Sequence, residues 1–123
     1  MQTEPMDIRV MIVDDAKELR DMIARELDFE GVAIVGEASS GPEALLVASD
    51  ATPDVVILDY LMPGQTGEEA ARDLRAQNPG VKIVACSGVV QSKPYWADAF
   101  VGKGNLGDMK NVVTALVGES NSN

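Results

Sequence analysis

Five polar residues come at the ends of short apolar runs: Asp14, Asp15, Asp59, Ser87 and Lys103. Three carboxylates in one small cleft repel each other unless a positive charge lies between them. Proteins bind magnesium with one or two carboxylates, and water and phosphate oxygens complete its coordination. A lysine and a hydroxyl on the same rim supply a point charge and a hydrogen bond to a phosphoryl group. The set therefore predicts magnesium-assisted phosphoryl chemistry.

The nucleophile for such chemistry needs no protein base. An aspartate can attack phosphorus and form an aspartyl phosphate, and carboxylates are already ionised near neutral pH. Catalysis then depends on positioning the reacting groups and on neutralising their charge with Mg²⁺ and lysine. This suits a chain that contains no histidine, because histidine general-base catalysis is excluded for it.

The elements that must position these residues alternate along the chain. Unbroken or β-branched apolar runs predict strands, and apolar residues at helical spacing predict helices. The predicted strands are 8–13, 32–38, 55–59, 81–86 and 99–101, and the predicted helices are 17–30, 41–48, 66–77 and 106–116. Alternation of this kind predicts an α/β fold, a doubly wound parallel sheet with helices on both faces. Ligands of such sheets bind beyond the carboxyl ends of the strands, where the five polar residues fall.

Composition limits the possible partners and compartment. The 123 residues fit one domain, and 10 basic against 20 acidic residues give a net charge of −10. This charge argues against direct binding to nucleic acid or to an anionic membrane surface. No apolar run approaches the roughly 20 residues of a membrane span, and residues 1–6 lack the features of a secretory signal. A single cysteine, Cys86, excludes an internal disulfide. We expect a cytoplasmic protein.

These motifs resemble the receiver domain of two-component response regulators, the class that includes the chemotaxis regulators. The matching segments are Val-Asp-Asp at 13–15, Gly41 with Glu-Ala-Leu at 43–45, Asp-Tyr-Leu-Met-Pro-Gly at 59–64 with Gly67 beyond, Ser-Gly at 87–88 and Phe-Val-Gly-Lys at 100–103. The resemblance implies a receiver domain over 7–117, between an N-terminal tail at 1–6 and a C-terminal polar tail at 118–123. It also implies a flavodoxin-like sheet with the strand order 2-1-3-4-5.

The resemblance assigns a role to each residue of the site. Asp59 is the expected phosphoacceptor, and it would bind Mg²⁺ together with Asp14 and Asp15. Lys103 would contact the phosphoryl group, and Ser87 and Phe100 would form the switch. The expected donor is a histidine kinase or a histidine phosphotransfer protein, with small acyl phosphates as a further source. We expect a stand-alone domain that catalyses only its own phosphorylation and dephosphorylation and acts by binding a downstream protein.

The connection between the fourth and fifth strands departs from the family pattern. Residues 88–98 number 11, about the minimum for a parallel crossover that includes a helix. Gly88 and Pro94 oppose a continuous helix, so we expect the fourth helix to be shortened or missing. Tyr95 and Trp96 then form either an aromatic interaction surface or a cover for the sheet, and we favour the cover.

Two further departures concern the site itself. Gly104 follows Lys103 where the family often has a cis proline, which puts the position of the lysine in question. Leu61 and Val89 lie two residues beyond Asp59 and Ser87, at positions that influence how water reaches the acyl phosphate in the family. Apolar side chains there predict a long-lived phosphorylated state.

Three other functions are compatible with parts of this pattern. The first is a constitutive interaction module that has lost phosphorylation. The second is a magnesium-dependent phosphatase with an aspartyl nucleophile, although such enzymes commonly carry a second aspartate where Leu61 stands. The third is a flavodoxin-like cofactor carrier, which the absence of a glycine-rich or hydroxyl-rich phosphate loop after the first strand disfavours.

Overall fold

The computed structural model describes residues 7–120, so the predicted tail at 1–6 and the last part of the tail at 118–123 lie outside the described residues. The strands are β1 Ile8–Val13, β2 Val32–Ala38, β3 Val55–Asp59, β4 Leu61–Met62, β5 Gln65–Thr66, β6 Lys82–Ser87 and β7 Ala99–Gly102. The helices are α1 Lys17–Glu26, α2 Gly41–Ala51, α3 Gly67–Gln77 and α4 Met109–Ser120.

Five strands form one parallel sheet in the order β2-β1-β3-β6-β7. Counting only these strands, the order is 2-1-3-4-5, which confirms the flavodoxin-like prediction. β4 and β5 form a separate antiparallel hairpin between β3 and α3, and the sequence did not predict it. The central strand β3 is buried along its whole length, as expected for a strand covered on both faces.

Alternate residues of the strands supply two cores, one on each face of the sheet. In β1, Met11 and Val13 pack towards α2 and α3, whereas Val10 and Ile12 pack towards α1 and α4. This is the two-residue periodicity of a strand with both faces buried. The helices therefore cover both faces, and they leave the carboxyl ends of the strands at one open edge.

Helix boundaries differ from the predictions at both ends of the chain. α1 ends at Glu26 and not at residue 30, and Gly31 follows with φ +97° in the left-handed region that favours glycine. The last helix begins after a 3₁₀ turn at Leu106–Asp108 and continues to Ser120. α4 therefore extends into residues 118–120, the start of the segment predicted as a polar tail. No helix in the described range is long and apolar enough to cross a bilayer.

The crossover from β6 to β7 contains no helix, which confirms the prediction that the fourth helix is shortened or missing. Trp96 takes over the covering role: it is 8% exposed and belongs to the core on the α2 and α3 side. Its ring stacks on Tyr60 with centroids 5.9 Å apart. Tyr95 is 81% exposed, so of the two aromatic residues only Trp96 covers the sheet.

Arg75 of α3 fixes the end of this crossover. Its guanidinium donates to the carbonyl of Trp96 and forms an ion pair with Asp98 at 2.7 Å. The same carboxylate accepts from the backbone N–H of Ile83 at 2.8 Å. The crossover is therefore attached to both α3 and β6, and it leads directly into β7.

Candidate functional site

Three carboxylates meet at the carboxyl edge of the sheet. Oxygens of Asp14, Asp15 and Asp59 all lie within 4.8 Å of one another. β1 and β3 are neighbours in the sheet, which is why residues 45 positions apart in sequence come together. Asp14 and Asp59 are buried, at 1% and 5% exposure, whereas Asp15 is exposed to solvent.

The geometry of Asp14 fits a cation. Its Oδ1 accepts from the backbone N–H of Ala16 at 2.8 Å. Its Oδ2 is buried and accepts no hydrogen bond, although Lys103 Nζ lies 3.2 Å away as an ion pair. A buried carboxylate oxygen without a hydrogen bond is costly unless a positive charge faces it. Together with the oxygens of the other two aspartates, it forms a set of hard ligands suited to Mg²⁺.

Lys103 joins the two buried acids. Its Nζ donates to Asp59 Oδ1 at 3.1 Å, and its backbone N–H donates to the carbonyl of Ser87 at 2.9 Å. The latter bond continues the β6–β7 ladder beyond the last paired residues, and it fixes the lysine at the site. No peptide bond among residues 7–120 is cis, so Lys103 reaches the cluster with glycine at 104 and an ordinary trans backbone.

Burial and charge change the acid–base properties of both partners. Burial, and secondarily the charge of Asp14, raise the pKa of Asp59 above its ordinary value although Lys103 opposes the change. Burial alone lowers the pKa of Lys103, but Asp59 and Asp14 outweigh it and raise that pKa. The lysine is therefore held in its charged form, and the charge of Asp14 still opposes ionisation of Asp59.

The hydroxyl of Ser87 is engaged in a turn. Ser87 is buried at the end of β6, and its Oγ accepts from the backbone N–H groups of Val89 and Val90 at 3.0 and 3.1 Å. The hydroxyl thus stabilises the first residues of the crossover and makes no hydrogen bond to Asp59. Phe100 is half-buried on β7. A cleft of about 190 Å³ separates it from the crossover, and Ser87 and Lys103 also line this cleft.

The residues two positions beyond Asp59 and Ser87 are apolar and largely exposed to solvent. Leu61 is 55% exposed and Val89 is 71% exposed. Their side chains offer no hydrogen bond to a water molecule.

Two further residues support the site, and no sequence motif points to this role for either of them. Arg20 donates to the carbonyl of Asp14 at 2.7 Å, and the only sequence signal was an arginine among the charged positions of a predicted amphipathic helix. Gly67 was part of the motif, but its physical reason appears only in the fold. A Cβ at Gly67 would lie 2.7 Å from the carbonyl oxygen of Asp59 and 2.8 Å from the ring of Trp96, so no larger residue fits.

Comparison with known proteins agrees with this geometry. Residues 10–104 match the family described as response regulator receiver domain. The response regulator GacA of Pseudomonas viridiflava is 44% identical over 89 residues, which are 72% of this chain and 41% of GacA. The chain thus spans less than half the length of that relative. The chemotaxis protein CheY of Thermotoga maritima is 36% identical over 86 residues, which are 70% of this chain and 72% of CheY.

Solved structures give the same result for the fold. The signal receiver domain of the putative response regulator NarL from Mycobacterium tuberculosis superposes with a TM-score of 0.80 at 27% identity, covering 93% of this chain and 98% of that one. The match in sequence covers most of the chain, and the strand order and the acidic cluster are consistent with it. The chain therefore belongs to the response regulator receiver domain family.

Proposed function

We propose that Asp59 accepts a phosphoryl group from a phosphohistidine of a histidine kinase or a histidine phosphotransfer protein. One observation carries the proposal: the Asp59 carboxylate is buried, hydrogen-bonded to Lys103, and within 4.8 Å of the Asp14 and Asp15 carboxylates. A purely structural aspartate at a strand end has no need of two further acids and a lysine. This arrangement suits a group that gains negative oxygens during its function.

The transfer is a displacement at phosphorus. A carboxylate oxygen of Asp59 forms the new P–O bond while the P–N bond to the donor imidazole breaks, and the imidazole leaves with the electron pair and takes up a proton from water. Lys103 Nζ lies 3.1 Å from Asp59 Oδ1 and would supply a positive charge to the oxygens of the incoming phosphoryl group. Its raised pKa keeps that charge in place at neutral pH. The donor, not this chain, supplies the histidine.

Asp14, Asp15 and Asp59 are the residues that would hold Mg²⁺. Bound there, the ion would neutralise charge on the phosphoryl oxygens and on the carboxylates. The chain's own contribution is the fixed orientation of the acids. Asp14 is fixed through Ala16 and Arg20, and Asp59 through its place at the end of the buried strand β3.

Phosphorylation of Asp59 would switch a binding surface near β7. A phosphoryl group would draw the Ser87 hydroxyl away from Val89 and Val90, the partners it has here. The cleft of about 190 Å³ beside Phe100 gives that ring space to turn. The output is binding of a downstream protein in the cytoplasm, and the only reactions the chain catalyses are its own phosphorylation and dephosphorylation.

The test is incubation with Mg²⁺ and a small acyl phosphate, followed by intact mass measurement. We expect a single phosphoryl adduct in the wild type, which is lost when Mg²⁺ is chelated and lost in Asp59→Asn. Asp50→Asn is the matched control, because Asp50 is an exposed aspartate of α2 away from the cluster, and this variant should still form the adduct. In a second experiment, a phosphorylated histidine kinase or histidine phosphotransfer protein replaces the acyl phosphate.

Two results would contradict the proposal. If neither donor gives an adduct, the chain is better described as a constitutive interaction module. The missing helix in the crossover would then be a feature of that module. Steady turnover of a phosphomonoester that Asp59→Asn abolishes would instead indicate an aspartyl phosphatase. Leu61 argues against the phosphatase, because it is apolar where such enzymes commonly carry an acid–base residue.

A further inference from the structure

We propose that Arg20 is a positioning residue for the acidic cluster: it holds the backbone of Asp14 so that Asp14 Oδ2 stays directed at the place where a divalent cation would bind. This inference rests on the proposed magnesium-dependent function. It extends that function to a residue of α1 that does not itself touch the reacting groups.

The contacts of Arg20 join three elements. Its Nη1 donates to the backbone carbonyl of Asp14 at 2.7 Å, and its Nε donates to Glu37 Oε1 of β2 at 2.9 Å. The side chain is 15% exposed, although it belongs to one of the most solvated residue types. A guanidinium has a planar set of donors that suits two acceptors at fixed angles. Arg20 therefore ties the turn after β1 to α1 and to β2.

Arg20 completes the restraints on Asp14. The backbone N–H of Asp14 donates to the carbonyl of Ala38 at 3.0 Å, and Oδ1 accepts from Ala16 at 2.8 Å. With the carbonyl held by Arg20, both backbone polar groups and one carboxylate oxygen have partners. Oδ2 alone remains without a hydrogen bond. The restraints thus fix which oxygen faces the cluster, where Lys103 Nζ lies 3.2 Å from it.

Glu37 explains how a cation can be tolerated beside this arginine. An unpaired guanidinium in contact with the backbone of Asp14 would repel Mg²⁺. The ion pair with Glu37 offsets that charge, so Arg20 acts through its hydrogen bond to Asp14 rather than through its charge. Residues that orient metal ligands in this way commonly change metal affinity about 10–100-fold when they are substituted.

The experiment is a calorimetric titration of the purified protein with Mg²⁺ alone, without a phosphodonor. We expect Arg20→Gln to raise the Kd for Mg²⁺ at least about tenfold. Arg9→Gln is the matched control, because Arg9 also donates its guanidinium to a backbone carbonyl, that of Ala51 at 2.6 Å, beside the start of β1 at the opposite end of the sheet. Arg9→Gln should lower the Tm about as much as Arg20→Gln does, but it should leave the Kd for Mg²⁺ unchanged.

A second variant, Glu37→Gln, keeps an acceptor for Arg20 but removes the compensating charge. We expect its Kd for Mg²⁺ to rise at low ionic strength and to approach the wild-type value at high ionic strength, where exposed charges are screened. Equal Mg²⁺ affinity of Arg20→Gln and wild type, or an equal loss in Arg9→Gln, would overturn the role of Arg20 while leaving the proposed function intact. Absence of Mg²⁺ binding in the wild type would overturn both.

Discussion

Lys103 Nζ lies 3.1 Å from Asp59 Oδ1 and thereby places one positive charge inside a cluster of three negative ones. The same nitrogen lies 3.2 Å from Asp14 Oδ2. One ammonium group cannot balance three carboxylates, and the pKa of Asp59 remains raised, by burial first and then by Asp14. The cluster is therefore assembled with excess negative charge, a state that a divalent cation would relieve.

The first prediction is that Asp59→Asn stabilises the protein at neutral pH in the absence of divalent cations. A carboxyl whose pKa is raised by folding contributes stability below its unfolded pKa, and this stability is lost as the pH rises through its folded pKa. Above that folded pKa the wild type has lost it, whereas asparagine has no charge to bury and can still accept from Lys103. Thermal unfolding should show a higher Tm for the variant, with about 4 °C for each kcal/mol gained.

The pH and metal dependence supply the control for this prediction. The difference in Tm between Asp59→Asn and the wild type should shrink as the pH falls below the ordinary pKa range of carboxyl groups. Asp59 is then neutral in both the folded and the unfolded protein. Added Mg²⁺ should raise the Tm of the wild type more than that of Asp59→Asn, by mass action on the folded state. A variant that is less stable than the wild type at every pH would show that the cluster is not under repulsion.

The second prediction concerns the aromatic cover that replaces the missing helix. Trp96 is 8% exposed and stacks on Tyr60, so Trp96→Ala should lower the free energy of unfolding by about 3–5 kcal/mol. Tyr95→Ala is the matched control, since Tyr95 is 81% exposed, and it should change stability by less than about 0.5 kcal/mol. Urea unfolding measures both. Similar losses of unfolding free energy in the two variants would mean that the burial of Trp96 does not contribute to stability.

The sequence predicted the fold well where one local signal was strong. Buried strands such as β3 were visible as unbroken apolar runs, and the short crossover with Pro94 correctly predicted a missing helix. The β4–β5 hairpin was not predicted, because each of its strands has two residues and carries no periodicity. The end of α1 was placed four residues late, because residues 27–30 carry no helix-breaking residue before Gly31.

The composition of the site could be predicted, but its supporting contacts could not. Strand ends in a parallel sheet lie at one edge, so the placement of Asp14 and Asp59 followed from topology. The contact of Arg20 with the Asp14 carbonyl depends on how α1 is rotated about its axis. The choice of Val89 and Val90 as partners of the Ser87 hydroxyl depends on a turn that has no sequence signature of its own. Both depend on three-dimensional packing.

The third prediction follows from that turn. Ser87→Ala removes the acceptor for the N–H groups of Val89 and Val90, so their hydrogen exchange should accelerate roughly fivefold, the factor for about 1 kcal/mol. Beryllofluoride with Mg²⁺ should accelerate the same two amides in the wild type, if the hydroxyl leaves the turn for the phosphoryl site. Ser87→Thr keeps the hydroxyl and should exchange as the wild type does. Unchanged exchange on adding beryllofluoride would indicate that Ser87 does not move.

The last prediction concerns the lifetime of the phosphorylated state. Leu61 and Val89, two residues beyond Asp59 and Ser87, are exposed apolar side chains, and apolar side chains cannot orient water for attack on the acyl phosphate. We expect a half-life of minutes or longer after the donor is removed, and a half-life of seconds would contradict it. Leu61→Gln places a hydrogen-bonding group beside the site and should shorten the half-life roughly tenfold, which corresponds to about 1.4 kcal/mol in the barrier. Leu46→Gln, an exposed leucine of α2, is the matched control and should leave the half-life unchanged.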